Sequence, residues 1–340
     1  EDAFVNPWKA RFADLGQGSP GAASVRMPRR AAPPVLQDAP AGGVRNHLVM
    51  HKDALLMPFE GSMDAFVSGV FVEGQCLPES LQCRGAAAAP RPPEAVLSGP
   101  CIFGGYLFAH YGHFLLESLN RYYAIARCAR HPLLFMSPNA APRAWQREIF
   151  RLLGMSNEMY CVRVPTLVRG LLLAPPSGDA EQPMTDVQFA ALGRVPECEV
   201  IRGKNVWLSR SALLTGGRVE EEAELEAMLA AEGWEIVHPE CLPPIRQAQT
   251  LMEAEHVAGF DGSAFYTVLL CRRLRNHFIL FSRRNSFVPF MLDYIRRRGA
   301  RLDSLLPPAA PTTGKGAAQN WSIDPRGVLR LLHERMTTGQ

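Results

Sequence analysis

The sequence predicts an α/β protein with two domains, each built around a doubly wound, mostly parallel sheet. Three observations support this fold class. The chain has 340 residues, which is about two domain lengths. Hydrophobic residues make up 47% of it, enough to fill two cores. From Val206 onward, short apolar runs alternate with helical segments over short connections, which is typical of a parallel sheet with crossover helices.

The second half of the chain supports this class element by element. A strand is predicted at 206–209 and a helix at 220–232, with acidic residues in its first turn and Gly233 just past its end. The alternation continues through strands at 234–238, 256–260 and 277–281 and helices at 245–255, 264–273 and 287–298.

The first half is less regular but similar in kind. A helix is predicted at 142–153, because Pro142 suits a first turn and Gly154 follows the last one. The other predicted elements are a long helix at 111–127 and strands at 47–58, 65–72, 133–135, 161–164 and 170–174. Two such domains facing across a cleft place a ligand at the carboxyl ends of their strands.

Three stretches rich in Pro, Ala and Gly mark the organisation of the chain. Residues 13–44, 82–98 and 304–320 bury little apolar surface, so an arm, a loop and a linker are predicted there. The predicted divisions are an irregular arm at 1–45, an N-terminal α/β domain at 46–195, a C-terminal Rossmann-like domain at 196–305, and a linker with a final helix at 306–340.

Composition excludes several classes of protein. The 36 Lys and Arg residues nearly balance 33 Asp and Glu, and a net charge of +3 is too small for a nucleic-acid-binding domain. The eight cysteines form no C-x-x-C pair, and a chain of this length needs no disulfide framework, so a reducing compartment, the cytoplasm, is expected.

Membrane contact is considered for one segment only. No apolar stretch approaches the roughly 20 residues of a transmembrane helix. Basic residues from Arg272 to Arg284 flank the apolar run Phe278–Phe281. That run is predicted to be a buried strand, and peripheral contact with a membrane surface is the alternative interpretation.

The first candidate site lies at the start of the predicted long helix. His113 and Glu117 are four residues apart, so on a helix they share one face, and a carboxylate that orients an imidazole makes a general base. Two alternatives stay open: a helix-capping histidine with a Glu117–Arg121 surface pair, and a metal site formed by His110, His113 and Glu117.

Two further candidates follow predicted strands. Arg210 and Ser211 come after the strand at 206–209, where a guanidinium could bind phosphate oxygens. Gly262 and Ser263 lie at a strand-to-helix turn, where small residues let backbone N–H groups approach an anion. Taken alone, basic residues after a strand are usually solvated loop charges, and glycines also mark ordinary tight turns.

Taken in order, these motifs resemble glycosyltransferase family 61, especially its bacterial members of polysaccharide and capsule biosynthesis. The matching pieces are YGHFLLESLNRYYAI from Tyr111, WLSRS from Trp207, and the stretch Pro239–Leu270, in which Gln247, Ala254 and Gly262 have the family's spacing. The resemblance covers roughly residues 98–300, about two-thirds of the chain.

The resemblance implies the GT-B architecture, with two Rossmann-like domains and the active site between them. It further implies an inverting transferase that moves a sugar from a nucleotide donor, often a UDP-sugar, to a hydroxyl of a glycan or glycolipid acceptor. The chain contains no D-x-D motif, so neither a metal nor another cofactor is expected. The oligomeric state is not predicted.

The resemblance also implies roles for individual residues. His113, supported by Glu117, would deprotonate the acceptor, with Glu117 itself as the alternative base. Glu240 would hydrogen-bond the ribose, and Gln247 would order the site or touch the donor. The diphosphate would be held by Arg210, Ser211, Gly262 and Ser263.

One departure from the family pattern motivates a different hypothesis. Many relatives have His where Asp261 stands, and an aspartate would repel a diphosphate unless it faced a sugar or ribose hydroxyl. A non-catalytic nucleotide-sugar-binding or scaffold module is therefore the second hypothesis. A third, a metal hydrolase that uses His110, His113 and Glu117, predicts stoichiometric zinc.

Overall fold

The structure, a computed structural model, describes residues 23–25, 48–128, 130–213, 217–284, 286–314 and 319–337. The chain divides into two compact units. Unit 1 consists of residues 1–147 and 154–188, and unit 2 of residues 148–153 and 189–340. The predicted arm at 1–45 lies outside the described residues except for one short strand at 23–25.

The described part of unit 1 contains a mixed sheet of nine strands in the order β4-β3-β2-β9-β6-β7-β8, with β1 beside β6 and β5 beside β3. The strands are β1 (Ala23–Val25), β2 (Val49–Gly61), β3 (Phe66–Val72), β4 (Gln75–Cys76), β5 (Gly85–Ala87), β6 (Ala95–Tyr106), β7 (Leu133–Met136), β8 (Met159–Val162) and β9 (Thr166–Leu173).

Only part of this sheet is parallel. Strands β9, β6, β7 and β8 pair in parallel, whereas β2 pairs antiparallel with both β3 and β9. The prediction of a doubly wound parallel sheet is therefore wrong for β2 and β3. The connection from Gly61 to Phe66 is too short for a parallel crossover, so these two strands form a hairpin.

The predicted loop at 82–98 is also wrong, since it contains β5 and the start of β6. The reason is close packing. A Cβ atom at Gly85 would lie 2.5 Å from the Phe66 ring, and Ala88 is buried against Met57 and Phe71. Small residues are required here by neighbouring side chains, and sequence composition cannot distinguish that requirement from a flexible linker.

The predicted long helix at 111–127 is wrong as a continuous element, because it is divided into three short turns. Arg121 interrupts it: the buried guanidinium donates to the backbone carbonyls of Glu79 and Ala174 and to the Asn120 side chain. The helical segments up to residue 192 are α1 (Tyr111–His113), a π-helical turn (Phe114–Ser118), α2 (Tyr122–Ile125), α3 (Ala144–Leu152), α4 (Asp186–Leu192) and a 3-10 turn (Pro78–Ser80).

Unit 2 contains the predicted parallel sheet. In its described part, five parallel strands lie in the order β11-β10-β12-β13-β14. The chain leaves β10 for β11 on one side and then returns to β12 on the other, so the strand order reverses between β10 and β12. These strands are β10 (Ile201–Leu208), β11 (Glu235–Val237), β12 (Ala254–Phe260), β13 (His277–Phe281) and β14 (Arg301–Leu305).

Helices cover this sheet and complete its core, in which Trp207, Phe260 and Phe281 pack together. The predicted helix at 264–273 is a shorter 3-10 helix, and the predicted linker at 304–320 contains a further strand. The remaining elements are α5 (Glu222–Ala231), α6 (Pro244–Glu253), α7 (Pro289–Arg297), α8 (Pro325–Thr337), the 3-10 helices Pro239–Cys241 and Ser263–Leu269, and the antiparallel pair β15 (Ala309–Pro311) and β16 (Trp321–Ile323).

The two units together confirm a mixed α/β protein with several sheets and helices. None of the helices in the described ranges combines the length and the hydropathy of a membrane-spanning segment.

Candidate functional site

Unit 1 brings together Arg84, His113 and Glu117, which we call the acid–base cluster. His113 is the last residue of α1, and Glu117 lies in the π-helical turn that follows. The Glu117 carboxylate is fully buried, whereas the side chains of Arg84 and His113 are about one-fifth exposed, at 19% and 22%. The spacing of His113 and Glu117 therefore does place them on one face, as predicted.

One guanidinium group organises this cluster. Arg84 Nη2 lies 2.6 Å from each carboxylate oxygen of Glu117 and 3.1 Å from His113 Nδ1. His113 Nδ1 in turn contacts Glu117 Oε2. Since an ionised carboxylate only accepts hydrogen bonds, the contact with Glu117 assigns the proton of the neutral ring to Nδ1, and the lone pair of Nε2 then faces Arg84 Nη1 at 3.5 Å. Nε2 is thus the nitrogen at which the ring can accept a proton, and that proton would replace the long contact with Arg84.

These contacts contradict the alternative of a Glu117–Arg121 surface pair. Arg121 donates to backbone carbonyls and to Asn120, and Glu117 is paired with Arg84 instead. Sequence analysis missed Arg84 because it stands in a stretch that was interpreted as a loop. The one available signal was an isolated arginine among Ala, Gly and Pro.

A metal site was the other alternative for this region. The imidazole rings of His110 and His113 are 4.9 Å apart between centroids. Among the described residues, however, no three or more His, Cys, Asp or Glu side chains group so that they could hold a metal ion. His110, His113 and Glu117 do not form such a group.

Unit 2 brings together Arg210, Asp261, Gly262 and Arg283, which we call the arginine cluster. Arg210 follows β10, Asp261 and Gly262 follow β12, and Arg283 follows β13. The carboxyl ends of parallel strands share one edge of the sheet, and the cluster spans the point where the strand order reverses. Ligands of open α/β sheets bind at such a point.

Arg210 is held by the loop that it belongs to and by a buried carboxylate. Its Nε and Nη2 donate to the Gly217 carbonyl at 3.3 and 3.1 Å, and its backbone N–H donates to Glu222 Oε1 at 3.1 Å. Burial lowers the pKa of the guanidinium, and the negative charges of Glu222 and Asp261 oppose this shift.

The guanidinium of Arg210 lies close against the backbone of Gly262. A Cβ atom at this position would lie 2.1 Å from Arg210 Nη1. The backbone of Gly262 is extended, with φ 177°, so any residue could adopt its conformation. The missing side chain at Gly262 was predicted to let an anion approach the backbone. In the structure it leaves room for the Arg210 guanidinium, the group that would bind the anion.

Asp261 and Arg283 form the other half of the arginine cluster. Asp261 is 2% exposed; its Oδ1 accepts the Arg283 backbone N–H at 3.2 Å, and its backbone carbonyl accepts Arg283 Nε at 2.9 Å. Burial, with the charge of Arg210 as the second cause, lowers the pKa of Arg283 to about 10. Sequence analysis missed Arg283 because it was grouped with the basic residues on either side of an apolar run. Its position just after a predicted strand was the feature that could have identified it as a site residue.

The remaining predicted donor residues lie around this edge of the sheet. Ser263 begins the 3-10 helix after Gly262 and is partly exposed, and Glu240 is exposed in the 3-10 helix after β11. The Ser211 hydroxyl donates to Glu226 at 3.0 Å. Gln247 donates to the Leu242 carbonyl at 3.0 Å and accepts from the Thr267 hydroxyl at 3.3 Å, which favours its ordering role.

Glu222 is a third residue that sequence analysis missed. Its Oε1 accepts hydrogen bonds from the Trp207 indole at 3.2 Å and from Arg210, whereas its buried Oε2 has no partner among the described residues. Burial raises the pKa of this carboxyl to about 7. A carboxyl group in the first turn of a helix gives no sequence signal of such burial.

The two clusters are suited to different chemistry. The acid–base cluster presents an imidazole nitrogen that can accept a proton from a hydroxyl. The arginine cluster brings guanidinium groups together at the carboxyl ends of parallel strands. Guanidinium groups are suited to binding phosphate oxygens.

The comparison with known families agrees with these two clusters. Residues 111–275 match the family described as Glycosyltransferase 61. This range contains all three motifs on which the resemblance was based, and the resemblance to this family is therefore confirmed. No curated protein matches the chain with significant similarity.

Proposed function

Because residues 111–275 belong to glycosyltransferase family 61, we propose that the protein is an inverting, metal-independent glycosyltransferase. It moves a sugar from a nucleotide-sugar donor, most simply a UDP-sugar, to a hydroxyl group of a bacterial glycan, such as a capsular polysaccharide. The observation that carries the proposal is the seating of Arg210 over Gly262 at the point where the strand order of unit 2 reverses.

In this proposal the arginine cluster binds the donor. The Arg210 guanidinium neutralises the diphosphate, and the backbone N–H groups of Gly262 and Ser263 donate to its oxygens. Glu240 accepts hydrogen bonds from the ribose. When the bond between the sugar and the diphosphate breaks, its electron pair leaves with the nucleoside diphosphate, and Arg210 stabilises the added negative charge.

The acid–base cluster prepares the acceptor. His113 Nε2 takes the proton of the acceptor hydroxyl as its oxygen attacks the anomeric carbon from the face opposite the diphosphate, which inverts the configuration. The Nδ1–H bond to Glu117 stabilises the imidazolium that forms. Because Glu117 is fully buried and bonded to Arg84, we favour His113 as the base.

The proposal includes the GT-B architecture, in which one unit binds the acceptor and the other the donor. Donor affinity tests this division: His113→Ala should lower turnover with donor affinity unchanged, whereas Arg210→Ala should weaken donor binding as well as lower turnover.

We also propose that the protein works in the cytoplasm and contacts the inner membrane peripherally. Support comes from exposed arginines contributed by the loop before β13, the end of α7 and the start of β14. A patch of arginines attracts anionic lipid head groups. The exposed arginines are Arg272, Arg273, Arg275, Arg296, Arg297 and Arg301.

Vesicle sedimentation tests this contact. The chain should bind vesicles that contain phosphatidylglycerol and not vesicles of phosphatidylcholine alone. The double variant Arg272→Glu with Arg273→Glu should lose binding, and Arg326→Glu on α8 should retain it. Equal binding by both variants would contradict the contact.

A donor panel tests the catalytic proposal. The full chain is incubated with UDP-, GDP- and CMP-sugars, and release of the free nucleotide is followed with and without EDTA. We expect slow turnover with at least one donor, unchanged by EDTA, and loss of that turnover in Arg210→Ala but not in Arg326→Ala.

Binding of a donor without any turnover would instead support the non-catalytic module. The ground for that hypothesis was the negative charge of Asp261. Arg283 Nε lies 3.5 Å and Arg284 Nη2 4.0 Å from its carboxylate oxygens, so this charge is compensated within the protein.

A further inference from the structure

The turn after β13 places a guanidinium that belongs to none of the three sequence motifs. Arg283 follows the end of β13 by two residues, just as Arg210 follows the end of β10, and Asp261 follows β12 directly. Since β12 lies between β10 and β13, Asp261 stands between the two arginines on one sheet edge.

The two guanidinium groups converge on one oxygen atom. Arg210 Nη2 and Arg283 Nη1 lie 3.1 and 3.0 Å from the carbonyl oxygen of Gly217. Two buried cations seldom approach so closely without negative charge nearby, because their repulsion is poorly screened. A neutral carbonyl supplies only a dipole, and an anionic oxygen would be the stronger acceptor for both groups.

The charges around this point do not balance. Arg210, Arg283 and Arg284 face two buried carboxyl groups, those of Asp261 and Glu222, and burial raises the pKa of Glu222 to about 7. The excess of positive charge favours a ligand with more than one negative charge.

Asp261 fixes the direction of Arg283. Its carboxylate accepts the Arg283 backbone N–H, and its backbone carbonyl accepts Arg283 Nε. These bonds engage only part of the guanidinium: Arg210 and Arg283 each use two of the five N–H groups that a guanidinium carries. Among the described residues the other N–H groups of each have no hydrogen-bond acceptor, so they remain for a ligand.

We propose that Arg283 is a second diphosphate-binding guanidinium, that Asp261 is its positioning residue, and that the pair of arginines selects a nucleoside diphosphate over a monophosphate. This inference rests on the proposed function. One phosphate group occupies one bidentate guanidinium, whereas a diphosphate occupies both. Asp261 therefore acts as a counter-ion to Arg283 and does not contact the ribose or the sugar.

Isothermal titration with UDP and UMP tests the inference, and the pairs GDP with GMP and CDP with CMP serve if another base is preferred. We expect the original chain to bind the diphosphate about tenfold more tightly than the monophosphate. Arg283→Lys keeps the charge but removes the fork, so it should weaken diphosphate binding about tenfold and leave monophosphate binding within about twofold. Arg326→Lys, at an exposed arginine on α8 outside both clusters, is the control and should preserve the ratio.

The outcomes separate the two proposals. If the original chain binds none of these nucleoside diphosphates, the proposed function fails. If it binds them and Arg283→Lys keeps the original ratio of diphosphate to monophosphate affinity, the inference fails while the proposed function stands.

Asp261→Asn provides a second test should Arg283→Lys not fold. Asparagine keeps an acceptor for the Arg283 N–H and removes one negative charge beside the ligand. We expect diphosphate binding to strengthen by roughly threefold to tenfold at low salt, with a steeper salt dependence. Weaker or unchanged binding would overturn the role of Asp261, because a ribose-binding carboxylate would lose affinity on this substitution.

Discussion

The acid–base cluster of unit 1 and the arginine cluster of unit 2 are made of similar groups in different proportions. In unit 1 one guanidinium, that of Arg84, donates to both oxygens of one carboxylate, that of Glu117. In unit 2 three arginines, Arg210, Arg283 and Arg284, lie near two buried carboxyl groups, those of Asp261 and Glu222, and Arg210 and Arg283 share one backbone carbonyl.

The difference in proportion decides the chemistry. Where arginine and carboxylate match one to one, their charges cancel, and the neighbouring His113 is left to exchange a proton. Where arginines outnumber carboxylates, the surplus charge attracts an anion. Residue types alone therefore do not identify a site; the number of charges within contact distance does.

The largest expected effect is that of His113→Ala. Without the imidazole no group in the acid–base cluster accepts the acceptor proton, so we expect turnover to fall by about 10²–10⁴-fold with donor affinity unchanged. Single-turnover transfer and donor titration measure the two quantities. His110→Ala, at an exposed neighbour, is the control; an equal loss in both variants would place the base elsewhere.

Arg84→Gln tests the matched charges of the acid–base cluster and should lower the stability of the protein. The substitution leaves the fully buried Glu117 carboxylate without its cation. Breaking a buried ion pair lowers the free energy of unfolding by about 3–5 kcal/mol, and the loss is smaller here because Arg84 is partly exposed. Urea unfolding measures the loss. Arg84→Lys retains the charge and should recover most of the stability; if both variants unfold alike, the charge of Arg84 is not what stabilises Glu117.

Arg210→Ala is expected to have the converse effect. Loss of a charge-assisted, bidentate contact should weaken donor binding by roughly 10- to 100-fold. Isothermal titration with the donor identified in the panel measures it, with the exposed Arg326→Ala as the control. A change in turnover with unaltered donor affinity would remove Arg210 from the donor site.

Glu222→Gln should have the smallest effect, and it depends on pH. The folded-state pKa of about 7 lies above the ordinary value of 4.5, so the folded chain binds the proton more tightly than the unfolded chain does. Its contribution to stability is complete below the ordinary pKa and is lost as pH rises through 7, by about 1 kcal/mol between pH 6 and pH 8.

Urea unfolding at these two pH values checks this prediction. Glu222→Gln should remove this part of the pH dependence, and Glu224→Gln, at an exposed position on the same helix, should leave it intact. The same slope in all three chains would show that Glu222 is not the titrating group.

Local sequence patterns predicted the elements of unit 2 better than those of unit 1. The apolar run at 277–281 coincides with β13. Strand β12 and helices α5 and α6 lie within a few residues of their predicted positions, and β10 begins earlier than predicted. Buried parallel strands are apolar along their whole length, which is a strong local signal. In unit 1 the hairpin and the interrupted helix depend on contacts between distant segments, and periodicity gave no sign of either.

The candidate site divides in the same way. Arg210, Gly262, His113 and Glu117 were identified because each stands in a recognisable local motif. Arg84 and Arg283 were missed because their partners are distant: Arg84 is 33 residues from Glu117, and Arg283 is 22 residues from Asp261.

The sequence by itself determined the α/β class, the match of residues 111–275 to glycosyltransferase family 61 and the imidazole–carboxylate pair, since these follow from patterns within a few turns or strands. Only the tertiary structure decided which charge each of these groups meets. Arg84 reaches Glu117 through the pairing of β5 with β3, and Arg283 reaches Asp261 through the pairing of β13 with β12. Strand pairing brings together residues far apart in the chain, and the energy of a buried charge depends on those neighbours.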